Sequence, residues 1–363
     1  MKKTALLLIL LLIVLFEVAC EKQITQNNEL PKESVWEKVK EVGSLDIRAL
    51  KVMDNVLYAA GMGSNSEAIF RTFDGLKWDR INLPDSANFS SGVWALTVKD
   101  GDIFVAPSYS YNKPIYKIEK NGTVVPVSPP VPIEISDLET IDDKIIIAPN
   151  GASQYELGVL DMSGRLEMFK DSLALNPTSG ECYRRNGISP IAVSKILKDR
   201  FGNDILLGRY LGQFITRFNT SLGFQCFSFK GLSNEERMSG VMDLAWSSDT
   251  LLAATFSCVK MLVGNEWKVY NSYLPIKENQ ISTASSIAVN DNRVFVATSS
   301  DGVLESNSGV WKELNNGLPK YSNGFYPGVS NIVCFNGKLF IGYGTNKYPP
   351  VGLSGLYQYK ITK

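Results

Sequence analysis

Ser285-Ser286-Ile287-Ala288-Val289-Asn290-Asp291-Asn292-Arg293-Val294-Phe295-Val296-Ala297-Thr298 is an apolar run, a two-residue polar turn and a β-branched run. Asp and Asn tolerate the positive φ that a tight hairpin turn demands, so the stretch reads as two antiparallel strands. Residues 302–306 supply a third strand, and Trp311 opens a fourth that ends at Leu318-Pro319, where proline stops a strand that lacks a further ladder partner. The unit recurs seven times. Its turns are Asp54-Asn55, Asp100-Gly101, Asp142-Asp143, Gly202-Asn203, Ser248-Asp249, Asp291-Asn292 and Asn336-Gly337. The first apolar residue after each turn is Val56, Ile103, Ile145, Ile205, Leu251, Val294 and Leu339, at spacings of 47, 42, 60, 46, 43 and 45 residues. A period of about 40–50 residues with several short strands per unit marks an all-β, seven-bladed β-propeller of four-stranded antiparallel blades.

The last unit runs out of chain after three strands. Val35-Trp36-Glu37-Lys38-Val39-Lys40-Glu41-Val42-Gly43 has the Trp and the alternation of an outer strand, so the N-terminal segment is expected to complete the last blade. An unclosed ring would expose two sheet edges, both liable to mispair. The 363 residues and 44% hydrophobic content then suit one domain over 35–363.

Met1-Lys2-Lys3 and the apolar run 5–16 read as a secretory signal over 1–19, the run being shorter than the ~20 residues a membrane span needs. Val18-Ala19-Cys20 resembles the lipobox of bacterial lipoproteins, with Glu17 standing where that motif usually has Leu. The resemblance implies an exported protein whose Cys20 is diacylated and becomes the mature N-terminus, anchored in a membrane at the periplasm or cell surface. Residues 20–34, with Asn27-Asn28 and Pro31, read as a flexible tether.

Without residues 1–19 the chain carries 35 basic and 36 acidic side chains, a net of −1. That balance, with no basic run, argues against nucleic acid and against electrostatic adhesion to anionic lipid. Cys182, Cys226, Cys258 and Cys334 remain, and export permits disulfides in any of three pairings. Cys226 and Cys334 lie in apolar strand-like runs and read as buried thiols; Cys182 and Cys258 fall in expected loops of one face, the first place to look for a bridge.

Thr72-Phe73-Asp74-Gly75-Leu76-Lys77-Trp78 resembles the Asp-box (BNR) repeat of sialidase, sortilin and photosystem II assembly-factor-like propellers, and Ser306-Asn307-Ser308-Gly309-Val310-Trp311 is a weaker copy without the Asp. Both are shorter than the usual repeat. The resemblance implies a hairpin staple away from any active site, and it transfers no catalytic residue.

The chain has no histidine, which excludes Ser-His-Asp and Cys-His catalysis and imidazole zinc sites. No Gly-rich phosphate loop and no calcium loop is present, so no cofactor and no metal is expected. An enzyme here, a glycan-active hydrolase or lyase of the sialidase kind, would work with carboxylates, Tyr and Arg. The sialidase Arg signature is missing, Asp46-Ile47-Arg48-Ala49 being no substitute, and sialidase propellers have six blades. Asp137 and Asp243 start inner strands near the channel mouth, where capping of backbone amides is the expected role.

Propeller loops between blades, and between second and third strands, open on one side. That side collects Tyr109, Tyr111, Tyr155, Arg209, Tyr210, Tyr343 and Tyr348 between strands, and Tyr183, Arg184, Arg185, Tyr321, Phe325 and Tyr326 between blades. Aromatic rings and guanidinium groups carry much of the energy of recognition. The 60-residue spacing contains an insertion, 171–190, that holds Tyr183-Arg184-Arg185 and reads as a functional loop. A binding or scaffold role follows, with a glycan, peptide or protein partner on the loop face and the membrane reached through the N-terminal lipid.

Overall fold

The computed structural model describes residues 34–361, apart from segments 63–67, 84–88, 90–91, 108–110, 151–154, 156, 171–172, 176–181, 185–192, 201–203, 210–214, 220–222, 228–239, 278–279, 282, 308, 323 and 344–352. Seven four-stranded antiparallel sheets form the blades of a β-propeller. Their inner strands are Asp46–Met53, Val93–Lys99, Ile135–Ile141, Val193–Lys198, Val241–Ser247, Ala284–Asn290 and Val329–Phe335, here blades 1 to 7 in that order. Each inner strand packs on the next, and the seventh on the first, so they enclose a central channel.

Six of the seven turns read from sequence lie among the described residues, and there the chain reverses between first and second strands. Asp54, Asn55, Asp100, Asp142, Ser248, Asp291 and Asn336 all have φ between 48° and 59°, which short polar side chains tolerate. The second strands, such as Lys144–Pro149 and Arg293–Thr298, are buried almost throughout because neighbouring blades cover both faces. Outer strands such as Asp79–Asn82 are largely exposed.

The apolar interior is divided into seven clusters, one at each junction between blades. Each outer-strand Trp packs toward the preceding blade: Trp78 toward blade 7, Trp267 toward blade 4 and Trp311 toward blade 5. Trp36 occupies the same place in blade 7, against blade 6.

Glu37–Lys38 pairs antiparallel with Gly355–Lys360 and is the fourth strand of blade 7, so the N-terminal segment closes the ring. Its ladder is two residues long, not the nine of 35–43. From Lys40 the chain turns, with Gly43 at φ 70°, because it must cross to the channel to begin blade 1. Flanking contacts extend the join. Trp36 N–H donates to Asn316 O at 2.8 Å, Val39 N–H to Leu356 O at 2.8 Å, and the Trp36 indole N–H to Leu314 O. Trp36 also meets the Tyr359 ring at 5.2 Å.

Residues 72–78 form a stapled turn between the third and fourth strands of blade 1. Asp74 Oδ1 accepts Leu76 N–H at 2.7 Å and Lys77 N–H at 2.9 Å, and Thr72 Oγ1 accepts Gly75 N–H at 2.9 Å. These backbone donors hold the Asp74 carboxyl below the usual carboxylate range. Asp161 makes the corresponding turn in blade 3, accepting Ser163 and Arg165 N–H.

Two expectations are corrected. Cys258 is a buried free thiol at the start of a strand, Cys258–Val263, not a cysteine in a loop; only Phe256 and Ser257 separate it from the preceding strand. The insertion 171–190 contains a two-stranded ladder, Leu173–Leu175 with Cys182–Arg184, rather than loop alone.

Candidate functional site

The inner strands carry a feature that the sequence reading missed. Each has a register shift near its start, with Arg48, Trp94, Ser136, Ser194, Met242, Ser285 and Ser330 as the extra residue. A bulge re-aims the side chains beside it, here into the mouth of the channel on the loop face. Its sequence signal is an apolar residue, two variable residues, then Leu or Ile, as in Ile135-Ser136-Asp137-Leu138 and Val329-Ser330-Asn331-Ile332.

Four bulge serines bond blade to blade. Ser136 Oγ donates to Val193 O at 2.7 Å, Ser194 Oγ to Val241 O at 2.7 Å, Ser330 Oγ to Ile47 O at 2.9 Å, and Ser285 Oγ to Val329 O. Each bond ties a strand start to the equivalent backbone of the next blade. In blade 1 the bulge residue is Arg48, whose guanidinium lies 4.8 Å over the Trp94 ring of blade 2 and pairs with Asp46. Burial pushes the Asp46 carboxyl above its usual value, against the pull of Arg48.

The next position holds the charges. Asp137 accepts Leu138 N–H at 3.0 Å and, across the blade junction, Ile196 N–H at 3.2 Å. Asp243 does the same with Leu244 N–H at 2.8 Å and Ile287 N–H at 3.0 Å, and takes the Ser286 hydroxyl at 2.6 Å. Lys51 reaches from blade 1 to Asp137 at 2.6 Å and Glu139 at 3.0 Å, and donates to Leu138 O. Burial alone would raise the Asp137 carboxyl, but Lys51, Lys195 and the amide donors outweigh it and hold it low. Burial would likewise drain charge from Lys195, yet Asp243, Asp137 and Glu139 keep its ammonium protonated well beyond the usual lysine range.

The mouth is thus a cavity of about 270 Å³ lined by Ser136, Ser194, Ser285, Ser286, Ser330 and Asn331 among others. Its two aspartates are spent on backbone amides and lysines, the capping role expected of them. A carboxylate so engaged is poorly placed to serve as general acid or nucleophile.

The residues nominated from sequence fall into three groups. Tyr111 is on the loop face with 61% of its surface exposed, and Tyr155 is half-buried there with Lys170 at 5.2 Å from its ring. Tyr326 and Tyr343 are core residues, a correction to their placement at the binding surface. Tyr343 is fully buried between blades 6 and 7, its hydroxyl donating to Pro319 O and its ring edge-on to Tyr357 at 5.1 Å. Tyr326 packs in the same cluster beneath Lys320. Tyrosine fits there because its ring fills the junction while the hydroxyl finds a carbonyl. Tyr109, Arg185, Tyr210 and Tyr348, with the side chains of Tyr183, Arg184 and Arg209, lie outside the described residues, as do Cys20 and the leader.

The molecule is a propeller whose loop face surrounds a serine-lined channel mouth, and its likeness to solved structures is one of fold. The extracellular domain of the putative hybrid two-component system BT4673 from B. thetaiotaomicron matches with a TM-score of 0.65 at 12% identity, over 91% of this chain. The chain spans 40% of the length of that structure. Virginiamycin B lyase from Staphylococcus aureus gives 0.62 at 13% identity, over 91% of this chain and 100% of its own. YCF48 bound to D1 peptide gives 0.57 at 10% identity, over 90% and 97%. No family model and no curated protein sequence matches the chain.

Proposed function

We propose that the chain is an exported, lipid-anchored binding module whose loop face captures a peptide segment of a protein partner. In this reading residues 1–19 are the leader, Cys20 carries the lipid, 20–34 are the tether and 35–363 the rigid binding body. The observation that carries it is the loop face: the aspartates and most of the serines of its channel mouth hold the ring together, while Tyr111 stands exposed in a loop of the same face. Rigid scaffolding below and aromatic loop residues above suit recognition more than catalysis. Peptide-bound YCF48 and the extracellular BT4673 domain, which share the fold, are consistent with such a partner and with export.

The direction of the closing strand fixes the side from which the chain enters the body. Glu37 pairs with Gln358 and Lys38 with Tyr357, while Lys360 pairs with Lys338 beside the Asn336-Gly337 turn. Residue 36 therefore enters the blade from the turn face.

The test is partner capture by cross-linking on intact cells, with Tyr111, Tyr183, Arg184 and Arg185 replaced together by Ala. Capture is expected to fall at least about tenfold, as for loss of one or two recognition hot spots, with a melting temperature within about 2 °C of the parent. Undiminished capture refutes the face assignment. A large drop in melting temperature would show that these side chains belong to the core.

A further inference from the structure

Below the charged layer the channel widens into a second chamber of about 670 Å³ that opens on the turn face, opposite the loop face. We propose that this chamber binds an amphipathic carboxylate of the fatty-acid class, with the acid group on Lys195 and the tail among the apolar walls. The site is separate from the loop face and does not depend on the function proposed for it.

The wall is built from one blade after another: Val52, Leu197, Trp246, Val289 and Val333 line it from blades 1, 4, 5, 6 and 7. Val52 keeps 40% of its surface exposed, and Leu197, Trp246, Val289 and Val333 are only partly buried. The volume lies in the range of small-molecule sites, which are mostly apolar with a few placed polar groups.

Lys195 supplies the polar end. It lines both the upper and the lower cavities, and so stands at the waist between them. The other charges at the waist are committed. Lys51 is held by Asp137 and Glu139, and the oxygens of Asp137 and Asp243 accept backbone amides and Ser286. The carboxylate oxygen nearest the Lys195 ammonium is Asp243 Oδ1 at 3.9 Å, beyond hydrogen-bond reach. Three N–H donors therefore remain to meet an acceptor in the chamber. A carboxylate meets them with charge-assisted hydrogen bonds, stronger than an alcohol or amide could make. At the open end, Arg200 lies 6.0 Å over the Trp246 ring and Lys198 is paired with Asp142 at 2.8 Å. Cations thus stand at both ends of the apolar wall, and at the waist the acid group would share Lys195 with Asp243.

The experiment is calorimetric titration of the full chain with hexanoate, octanoate, decanoate and decanol, alongside the variants Lys195→Met and Val333→Phe. Affinity is expected to rise up to about fourfold per added methylene until the chamber fills. Decanoate should bind at least about tenfold more tightly than decanol, as the charged end group requires. Lys195→Met should remove the preference for acid over alcohol, and Val333→Phe should weaken both by filling the wall. Equal binding of decanoate and decanol, no dependence on chain length, or no binding at all overturns the proposal. Should Lys195→Met fail to fold, the chain-length series and Val333→Phe still decide it.

Discussion

Replacing Trp36 with Ala attacks the ring at its seam. The side chain is 3% exposed, fills the junction between blades 6 and 7, stacks near Tyr359 and donates its indole N–H to Leu314 O. Truncating a buried Trp to Ala typically costs about 3–5 kcal/mol, and the stranded carbonyl and lost ring pair place this site toward the upper end, about 4–5 kcal/mol. A body of roughly 330 residues unfolds with an entropy near 0.7 kcal/mol per kelvin, so the melting temperature should fall by about 6–7 °C. Trp36→Phe keeps most of the packing and loses mainly the hydrogen bond, at about 1 kcal/mol and 1–2 °C. The assay is thermal unfolding followed by far-ultraviolet circular dichroism and Trp fluorescence, whose transitions should coincide because all seven junctions fail together. Deleting 35–43 should abolish the transition, and deleting 21–33 should leave it unmoved. A Trp36→Ala protein melting within about 1 °C of the parent refutes the argument that the N-terminal strand locks the ring.

Asp137→Ala leaves Lys51 without its nearest counter-ion in a buried site and should cost about 3–5 kcal/mol in urea denaturation, with Asp137→Asn milder. The Asp74, Asp137 and Asp161 carboxyls are all held below their usual values, so their contribution is present above roughly pH 4 and is lost as pH falls through the depressed values. Melting temperature against pH should therefore drop on the acid side, and less steeply in Asp74→Asn; an unchanged slope contradicts the staple. Cys258 is buried and burial pushes the Cys334 thiol up to about 12, so native protein should leave both unmodified by a maleimide at mildly alkaline pH, with labelling only after unfolding, read by mass spectrometry.

The hairpin turns carried the fold in the sequence, because each needed a residue that accepts positive φ and the polarity on either side had to follow. Trp36 was legible for a similar reason: an outer strand needs a large ring to reach the preceding blade, and Trp78, Trp267 and Trp311 mark that place elsewhere. The bulges left only a faint trace, two residues rather than one between apolar positions as in Ile135-Ser136-Asp137-Leu138, and that break in alternation is easily passed over within a strand otherwise read by its period of two. Tyr111 and Tyr343 show why the site was harder than the fold. Both come where the chain passes from a second to a third strand and read alike, yet one ring projects into solvent and the other seals a junction, since tyrosine suits either setting. Only the three-dimensional neighbourhood, with Pro319 O waiting for the Tyr343 hydroxyl, separates them.

The seam joins Glu37–Lys38 to Gly355–Lys360, the first and the last of the described strands in chain order. Until those final residues appear, seven blades are a broken necklace: each junction after the first can form in turn, but the clasp cannot fasten. Were the chain exported amino end first, as proposed above, the clasp would close only once residues 355–360 had followed.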